Sequence, residues 1–320
     1  MAIALFCYSF LNSVKKIVQE WTLSQARVGG HRMREAHCSM RVRVVSALRS
    51  GLLLGHIMAS TERYRTFLVT CYGKSVPASE LIEKMLRAPS IPHEGRAGIR
   101  ILQVAGTKLV CRKYSHGGLF RAFTRDLFFS VRRSTQEAEI MLRLKQSGFP
   151  VITPFATITE LGSFRKRLYL CTLLEEGATN LLEYLKRSTK KTRLRAVKRF
   201  AELLWELGRA GVYHPDLHLK NVVLTPGGNM LFLDFDRASR RTIGKKDIES
   251  MFWRLARYVD KMQRQGDLRV DDREKALFLR TYERLSKRPM TEEMQRSLKR
   301  KSYIHRIGWW IESLLYGDAQ

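Results

Sequence analysis

The stretch YHPDLHLKNVVL, residues 213–224, holds five side chains that can bind a metal or carry a proton: His214, Asp216, His218, Lys220 and Asn221. The first three alternate, so on a strand they would share one face, as a metal site can require. The proline after the first histidine predicts a turn instead, and no fourth His or Cys ligand lies at a recognisable spacing. Taken alone, the loop is open to a metal site and to a polar turn around a structural histidine; for His214 we favour the second interpretation.

A hairpin follows this loop and returns a second aspartate to it. The segment NVVLTPGGNMLFLDFD predicts two apolar strands joined by a Pro-Gly-Gly turn. Asn221 and Asp234 then lie at neighbouring strand ends and can direct oxygens into one space. Amide and carboxylate oxygens suit Mg²⁺, which is usually completed by substrate phosphates. With Asp216 upstream as a proton acceptor, the pattern indicates a phosphoryl-transfer site.

The elements around this site change character along the chain. GIRILQVAGTKLVCRKY predicts strands at 99–104 and 108–114, and FATITE with KRLYLCTLLEE predicts a second hairpin. TQEAEIMLRLKQSGFP predicts one helix between them. After Glu176, apolar residues recur at helical spacing in three long segments. We therefore predict an α+β fold with a strand-rich lobe, 61–175, containing one orienting helix, and a larger helical lobe, 176–320.

HPDLHLKN followed by DFD resembles the catalytic loop and the metal motif of the protein-kinase-like fold. More narrowly, YHPDLHLKNVVL, LFLDFDRA, LVCRKYSHGGLF and QEAEIMLRLKQSGFPV resemble the bacterial lipopolysaccharide-core kinases, especially the 3-deoxy-D-manno-octulosonic acid (Kdo) kinase family. The resemblance covers about residues 94 to 260, and its four motifs occur in the family's order. It implies a bilobal fold and the use of ATP and Mg²⁺.

The resemblance also implies a role for each motif. Asp216 matches the catalytic base, Asn221 and Asp234 match the Mg²⁺ ligands, and Glu137 matches the helix glutamate that orients a phosphate-binding cation. That cation is expected on the strand LVCRKY.

Two neighbouring residues compete for the role of this cation. Lys113 resembles the usual kinase lysine, whereas Kdo kinases often carry arginine at the position of Arg112. Because side chains alternate along a strand, only one of the two can reach the cleft. We favour Lys113.

The nucleotide contacts are expected on the resemblance alone. EGRAG, with Gly95 and Gly98, is expected to cover the phosphates although it lacks the full glycine-rich pattern. The adenine is expected against the strand end CTLLEE, at Thr172, Leu174 and Glu175.

Three further loop residues lie near the expected reaction centre. His218 and Lys220 face the same region, and one of them is expected to contact the γ-phosphate or the acceptor, with a solvated loop charge as the alternative for Lys220. Asp236 stands where protein kinases carry glycine, and we hypothesise that it helps to place the metal or the acceptor. No Pro-Glu dipeptide occurs in the chain, so the protein-docking segment of protein kinases is missing and a small or lipid-linked acceptor is favoured.

The charge of the chain predicts an anionic partner. Lys and Arg number 58 against 30 Asp and Glu, a formal net charge of +28. The basic stretches 117–133 and 296–317 are rich in aromatic residues, which is typical of a membrane interface or of ordinary packing helices. No nucleic-acid module is visible, so we expect no nucleic-acid partner. Five cysteines without CxxC pairing favour a reducing compartment.

Residues 1–60 are basic and show no sustained period, so we expect a poorly ordered extension, or sequence upstream of a true start at Met58. The resemblance implies a peripheral enzyme at the cytoplasmic face of the bacterial inner membrane that phosphorylates an inner-core sugar, with Kdo on a lipid A precursor as the expected acceptor. The alternatives are a heptose kinase of the same family, an aminoglycoside- or choline-type phosphotransferase, and a membrane-associated pseudokinase scaffold.

Overall fold

The computed structural model describes residues 43–49, 52–62, 65–72, 76–93, 96–115, 126–162 and 165–287. Mixed helices and antiparallel sheets confirm the α+β class. The first part of the chain forms an eight-stranded sheet in the order β1-β2-β3-β7-β8-β6-β5-β4. Its strands are β1 (Arg43–Arg49), β2 (Leu52–Glu62), β3 (Arg65–Cys71), β4 (Ile91–His93), β5 (Arg96–Val104), β6 (Thr107–Lys113), β7 (Pro154–Leu161) and β8 (Lys166–Leu173).

Both hairpins expected from the sequence are present in this sheet. β5 and β6 pair from Ile99↔Arg112 to Val104↔Thr107, and the turn residues Ala105 and Gly106 both have positive φ, 46° and 73°. Tight hairpin turns with this twist need positive φ, which glycine adopts without strain. β7 and β8 form the second hairpin.

Strands β1 and β2 lie in the part of the chain where we expected an extension. β2 pairs with β3 along its length, from His56↔Cys71 to Glu62↔Arg65. Backbone hydrogen bonds to β3 define this strand, and its sequence, LLLGHIMASTE, keeps no apolar and polar alternation that would predict it. Residues 1–42, which make up the rest of the expected extension, lie outside the described residues.

Two helices pack against the sheet, where we predicted one. Helix α1 (Ala78–Arg87) buries Leu81, Ile82 and Met85 in a cluster with side chains of the sheet. Helix α2 (Arg132–Gln146), the predicted orienting helix, buries Met141 and Leu144 in a separate, larger cluster that it shares with the helices of the second part.

The second part of the chain is mainly helical. Its helices are α3 (Leu181–Arg187), α4 (Lys190–Arg209), α5 (Lys245–Arg264) and α6 (Asp272–Ser286). One short strand, β9 (Thr179–Asn180), precedes α3. Four more lie between α4 and α5: β10 (Val212–Tyr213), β11 (Val222–Leu224), β12 (Met230–Phe232) and β13 (Ser239–Arg240). The described helices include none with the length and apolar character needed to cross a membrane.

A buried ion pair fixes α4 against the start of α6. Arg193 Nε lies 2.6 Å from Glu274 Oε1, and the glutamate side chain is only 3% exposed. The same glutamate caps its own helix by accepting from the Asp271 amide at 3.1 Å. Removing one partner of such a pair leaves a buried charge without compensation.

We predict that Arg193→Ala lowers the free energy of unfolding by about 3 kcal/mol, because Glu274 stays buried without its cation. Arg199→Ala, on the same helix, is the matched control. Arg199 is 48% exposed and pairs with two half-buried carboxylates, Glu202 and Glu206, that keep contact with solvent, so its removal should cost less than about 1 kcal/mol. Urea unfolding measures both, and equal losses would contradict the assigned role of the buried pair.

Candidate active site

The loop 213–224 leads from β10 through a single 3-10 turn, Leu219–Asn221, into β11. β11 and β12 form the predicted hairpin, with Val222 opposite Phe232 and Leu224 opposite Met230. The amide of Leu233 donates to the carbonyl of Asn221 at 2.9 Å. Asn221 and Asp234 therefore lie at adjacent ends of the hairpin, as the sequence predicted.

Asn221 also closes the loop onto its own start. Its Nδ2 donates to the backbone oxygen of Asp216 at 2.9 Å, and the side chain is buried. No described residue donates a hydrogen bond to the amide oxygen of Asn221. This oxygen and the carboxylate of Asp234 are hard ligands, so the pair fits a magnesium ion chemically.

Asp234 has a backbone conformation that is uncommon for a residue with a side chain. Its φ is 61°, in the left-handed region, where aspartate is tolerated better than most residues. The next residue, Phe235, is fully buried and packs against the ring of His214 at 5.1 Å. The buried phenylalanine fixes the segment and holds Asp234 in this conformation.

A single guanidinium connects Asp234 to helix α2. Arg112 Nη1 donates to Asp234 Oδ1 at 3.0 Å, and Nη2 donates to both carboxylate oxygens of Glu137 at 2.7 Å. The hydroxyl of Tyr114 also donates to Glu137, and the tyrosine ring lies 4.9 Å from the guanidinium carbon. Strand β6, helix α2 and the DFD segment (Asp234–Asp236) therefore meet at one cation.

Burial and charge act in opposite directions in this cluster. Burial raises the pKa of Glu137 to about 7, against the opposing effect of Arg112. Burial would lower the pKa of Arg112, but the carboxylates of Glu137 and Asp234 outweigh it and raise that pKa above the usual range. The guanidinium therefore stays charged.

Glu137 holds Arg112 and not Lys113, the residue that we favoured. Lys113 points to the opposite face of β6, where it pairs with Asp126, which also accepts from Arg167 at 3.2 Å. The alternation along the strand was predicted correctly. The error lay in which face meets α2, because the packing of the sheet decides this and the strand pattern does not.

We missed one charged partner of the proposed base. Arg254, on α5, donates from Nε to Asp216 Oδ1 at 3.0 Å and makes a second contact through Nη2 to the same oxygen. The two residues are 38 positions apart, and no motif links them in the sequence. The contact fixes the orientation of the carboxylate at the start of the loop.

Asp236 is also paired. Its two carboxylate oxygens accept from Nε and Nη2 of Arg133 on α2. The Arg133 guanidinium in turn lies over the rings of Tyr114 and Phe128, at 5.5 and 5.2 Å. Asp236 is therefore bound directly to α2, whereas Asp234 is connected to α2 through Arg112 of β6.

The histidines of the loop do not form a metal cage. His214 is buried, with its Nε2 3.4 Å from the carbonyl of Leu233. The ring of His218 stacks on Tyr258 at 4.8 Å. Within the described part of the chain, no group of three His, Cys, Asp or Glu side chains is arranged to hold a metal. Lys220 is half-buried in the 3-10 turn.

The expected nucleotide residues lie in two places. Gly98 is on β5, where a Cβ would stand 2.8 Å from the carbonyl of Ile91. The close approach of β4 therefore accounts for this glycine. Gly95 lies outside the residues whose placement is described, as do most of the basic stretch 117–133 and all of 296–317.

The residues expected around the adenine follow one another at the end of β8. Thr172 pairs with Val110 of β6, and the Leu174 amide donates to the carbonyl of Lys108 at 2.9 Å. Glu175 follows, in the connection that leads to β9 and the helices.

Comparison with known proteins decides the family. Residues 90–282 match the model of the lipopolysaccharide kinase (Kdo/WaaP) family. The chain belongs to this family. A 3-deoxy-D-manno-octulosonic acid kinase of Xylella fastidiosa (strain M12) is 29% identical over 203 residues, 62% of this chain and 78% of that protein. One of Xanthomonas oryzae pv. oryzae (strain PXO99A) is 28% identical over 202 residues, 62% and 80% of the two chains.

Membership in this family gives the class of reaction. The chain is a kinase that transfers phosphate to a hydroxyl group, and a kinase family implies ATP as the donor. The resemblance seen in the sequence motifs is thereby confirmed at the level of the family.

We predict that Arg112→Ala lowers the rate of phosphate transfer roughly 100-fold or more, the usual cost of a preorganised charge in a transition state. Lys113→Ala, one residue away on the other face, should change it less than about fivefold. Steady-state kinetics of the two purified variants makes the comparison. A larger loss in Lys113→Ala would overturn the assignment to Arg112.

A second prediction concerns how the free energy of unfolding depends on pH. Burial lowers the pKa of His214 from 6.5, so the folded protein keeps the ring neutral after the unfolded chain has bound a proton. The free energy of unfolding should therefore fall as the pH drops below about 6.5, by at most about 1.4 kcal/mol per unit from this group. In His214→Asn this fall should be smaller. Equal slopes in urea unfolding between about pH 7 and 5 would contradict the role of His214.

Proposed function

We propose that this chain is an ATP- and Mg²⁺-dependent kinase that phosphorylates a hydroxyl of Kdo on a lipid A precursor. The observation that carries the proposal is the convergence of Asn221 and Asp234 at the end of one hairpin, beside the loop that begins with Asp216. Family membership and the names of the Kdo kinase relatives support the choice of acceptor. We also propose that segments 61–175 and 176–320 are the two lobes of a protein-kinase-like fold.

Asp216 is proposed as the catalytic base. Its carboxylate accepts the proton of the sugar hydroxyl as that oxygen attacks the γ-phosphorus of ATP, and the bond to ADP breaks. Arg254 fixes the orientation of the carboxylate, and the hydrogen bond from Asn221 fixes the backbone of the same residue. Both contacts hold the base in place before the acceptor arrives.

Asn221 and Asp234 are proposed to hold Mg²⁺, which would neutralise charge on the ATP phosphates. Arg112, held by Glu137, is proposed to bind the same phosphates as the cation of β6. The nucleotide base is proposed to lie at Thr172, Leu174 and Glu175. The phosphate-side roles of Gly95, Gly98, His218 and Lys220 stay predictions from the sequence.

A peripheral position on the cytoplasmic face of the inner membrane completes the proposal. The net charge of +28 suits an anionic head-group surface. On α4, three exposed cations recur at helical spacing along one face: Lys191, Arg195 and Lys198. This face supports an electrostatic contact with lipid, where a Kdo-bearing acceptor is held.

We predict that Asp216→Asn lowers the turnover number about 10²- to 10⁴-fold while the dissociation constant of ATP stays within a few-fold. Asp260→Asn, an exposed aspartate on α5 that pairs with Arg264, is the matched control and should keep full activity. Radiolabelled phosphate transfer to Kdo-lipid A and nucleotide titration measure the two quantities. Chelation of Mg²⁺ should stop the wild-type reaction.

Mass spectrometry of lipid A and core from cells with and without the gene identifies the acceptor. The loss of one phosphate from Kdo supports the proposal, whereas its loss from heptose assigns the chain to heptose phosphorylation. Full turnover in Asp216→Asn would contradict the role of the base.

A further inference from the structure

An open cavity of about 600 Å³ lies at the start of α2, next to the DFD segment. This volume is sufficient for a sugar unit. The following lining residues carry its chemistry: Phe129, Ser130, Arg132, Arg133, Gln136 and Asp236. The metal and base residues described above are not among them.

The two arginines of the cavity differ in their partners. Arg133 is fixed by its two contacts to Asp236, which neutralise it. Arg132 is exposed, and its guanidinium makes no ion pair or hydrogen bond with any residue of the described part of the chain. The lining therefore carries one uncompensated positive charge, on a side chain that is free to turn toward a ligand.

The rest of the lining suits a carbohydrate. The ring of Phe129 is 72% exposed, which is unusual for a phenylalanine, and the guanidinium of Arg165 lies 5.9 Å from its centre. Ser130 and Gln136 add a hydroxyl and an amide at the edge of the cavity. An aromatic face packs on the C–H groups of a sugar, polar groups bind its hydroxyls, and a guanidinium binds a carboxylate in a bidentate manner.

We propose that this cavity binds the carboxylate of an acidic sugar acceptor, with Arg132 as the carboxylate ligand and Phe129 as the packing surface. This inference deepens the proposed function and rests on it for the identity of the acceptor. The position is suitable, because Asp236 follows Asp234 by two residues and so lies within about 7 Å of it along the chain. A sugar held here remains close to the metal motif.

Direct binding tests the proposal without turnover. Free Kdo is titrated into the full-length protein, and the dissociation constant is measured by calorimetry or ligand-observed NMR. We expect Arg132→Ala to raise this constant roughly 10- to 100-fold, as the loss of a charge-assisted contact implies. Arg143→Ala, an exposed arginine of the same helix that pairs with Glu139, is the control and should bind like the wild type.

A second probe isolates the carboxylate. The methyl ester of Kdo lacks the negative charge, so it should bind the wild type and Arg132→Ala equally weakly. Phe129→Ala should weaken both probes, because the packing surface does not depend on charge. Equal affinity of acid and ester for the wild type, unchanged binding of Kdo by Arg132→Ala, or no binding of Kdo by the wild type would overturn the proposal.

A titration with inorganic phosphate tests whether the cavity binds a phosphate group of the lipid and not the carboxylate of the sugar. If phosphate bound as tightly as Kdo and lost its affinity in Arg132→Ala, the site would be a phosphate site and the carboxylate proposal would be wrong. The proposed function is decided separately by phosphate transfer to Kdo-lipid A. If the protein binds Kdo but transfers no phosphate to Kdo-lipid A, the proposed function is wrong and the proposed binding site is retained. If Arg132→Ala transfers phosphate with a normal Michaelis constant, the proposed binding site is wrong and the proposed function is retained.

Discussion

The guanidinium of Arg112 is the interaction on which the site depends. It bridges Glu137 on α2 and Asp234 after β12, so three elements that are distant in the sequence meet at one buried charge. A buried cation is costly unless its geometry is good and its donors are satisfied. Here two carboxylates satisfy it. Strand β6, helix α2 and the DFD segment must therefore be in place together for the cluster to form.

Helix α2 is connected to the DFD segment at more than this point. Arg133 of the helix holds Asp236, and Gln136 donates to the carbonyl of Ala238 at 3.3 Å. The segment from Asp234 to Ala238 is thus attached to this helix directly at Asp236 and Ala238, and through Arg112 at Asp234. In regulated kinases this helix can move. Asp236 is paired with Arg133 and so attaches α2 at an additional point, which a glycine could not do. This fits an enzyme in which α2 already has its active position.

The local parts of this arrangement could be predicted from the sequence, and the distant ones could not. The β5–β6 turn at Ala105 and Gly106 and the Pro-Gly-Gly hairpin are fixed by the residues within them, so both were predicted. So were Asn221 and Asp234 as neighbours, because a hairpin brings its ends together. The motif spacing also pointed to the correct family.

Errors arose where packing decides. Alternation along β6 separates Arg112 from Lys113, but only the position of α2 selects the residue that faces the site. The contact between Arg254 and Asp216 spans 38 positions and that between Arg133 and Asp236 spans 103, and neither leaves a local pattern. Strands β1 and β2 were missed for a related reason, since their partners in the sheet define them. Helix α1 was missed although Leu81, Ile82 and Met85 recur at helical spacing, a local pattern that does predict a helix.

A double-mutant cycle on Arg112 and Glu137 tests the central claim most directly. The catalytic efficiency of phosphate transfer is measured for the wild type, Arg112→Ala, Glu137→Ala and the double variant. If Glu137 acts only by holding Arg112, the double variant will be no slower than Arg112→Ala, and the coupling energy will nearly equal the effect of Glu137→Ala alone. Losses that simply add would show that the two residues act independently and would contradict the account.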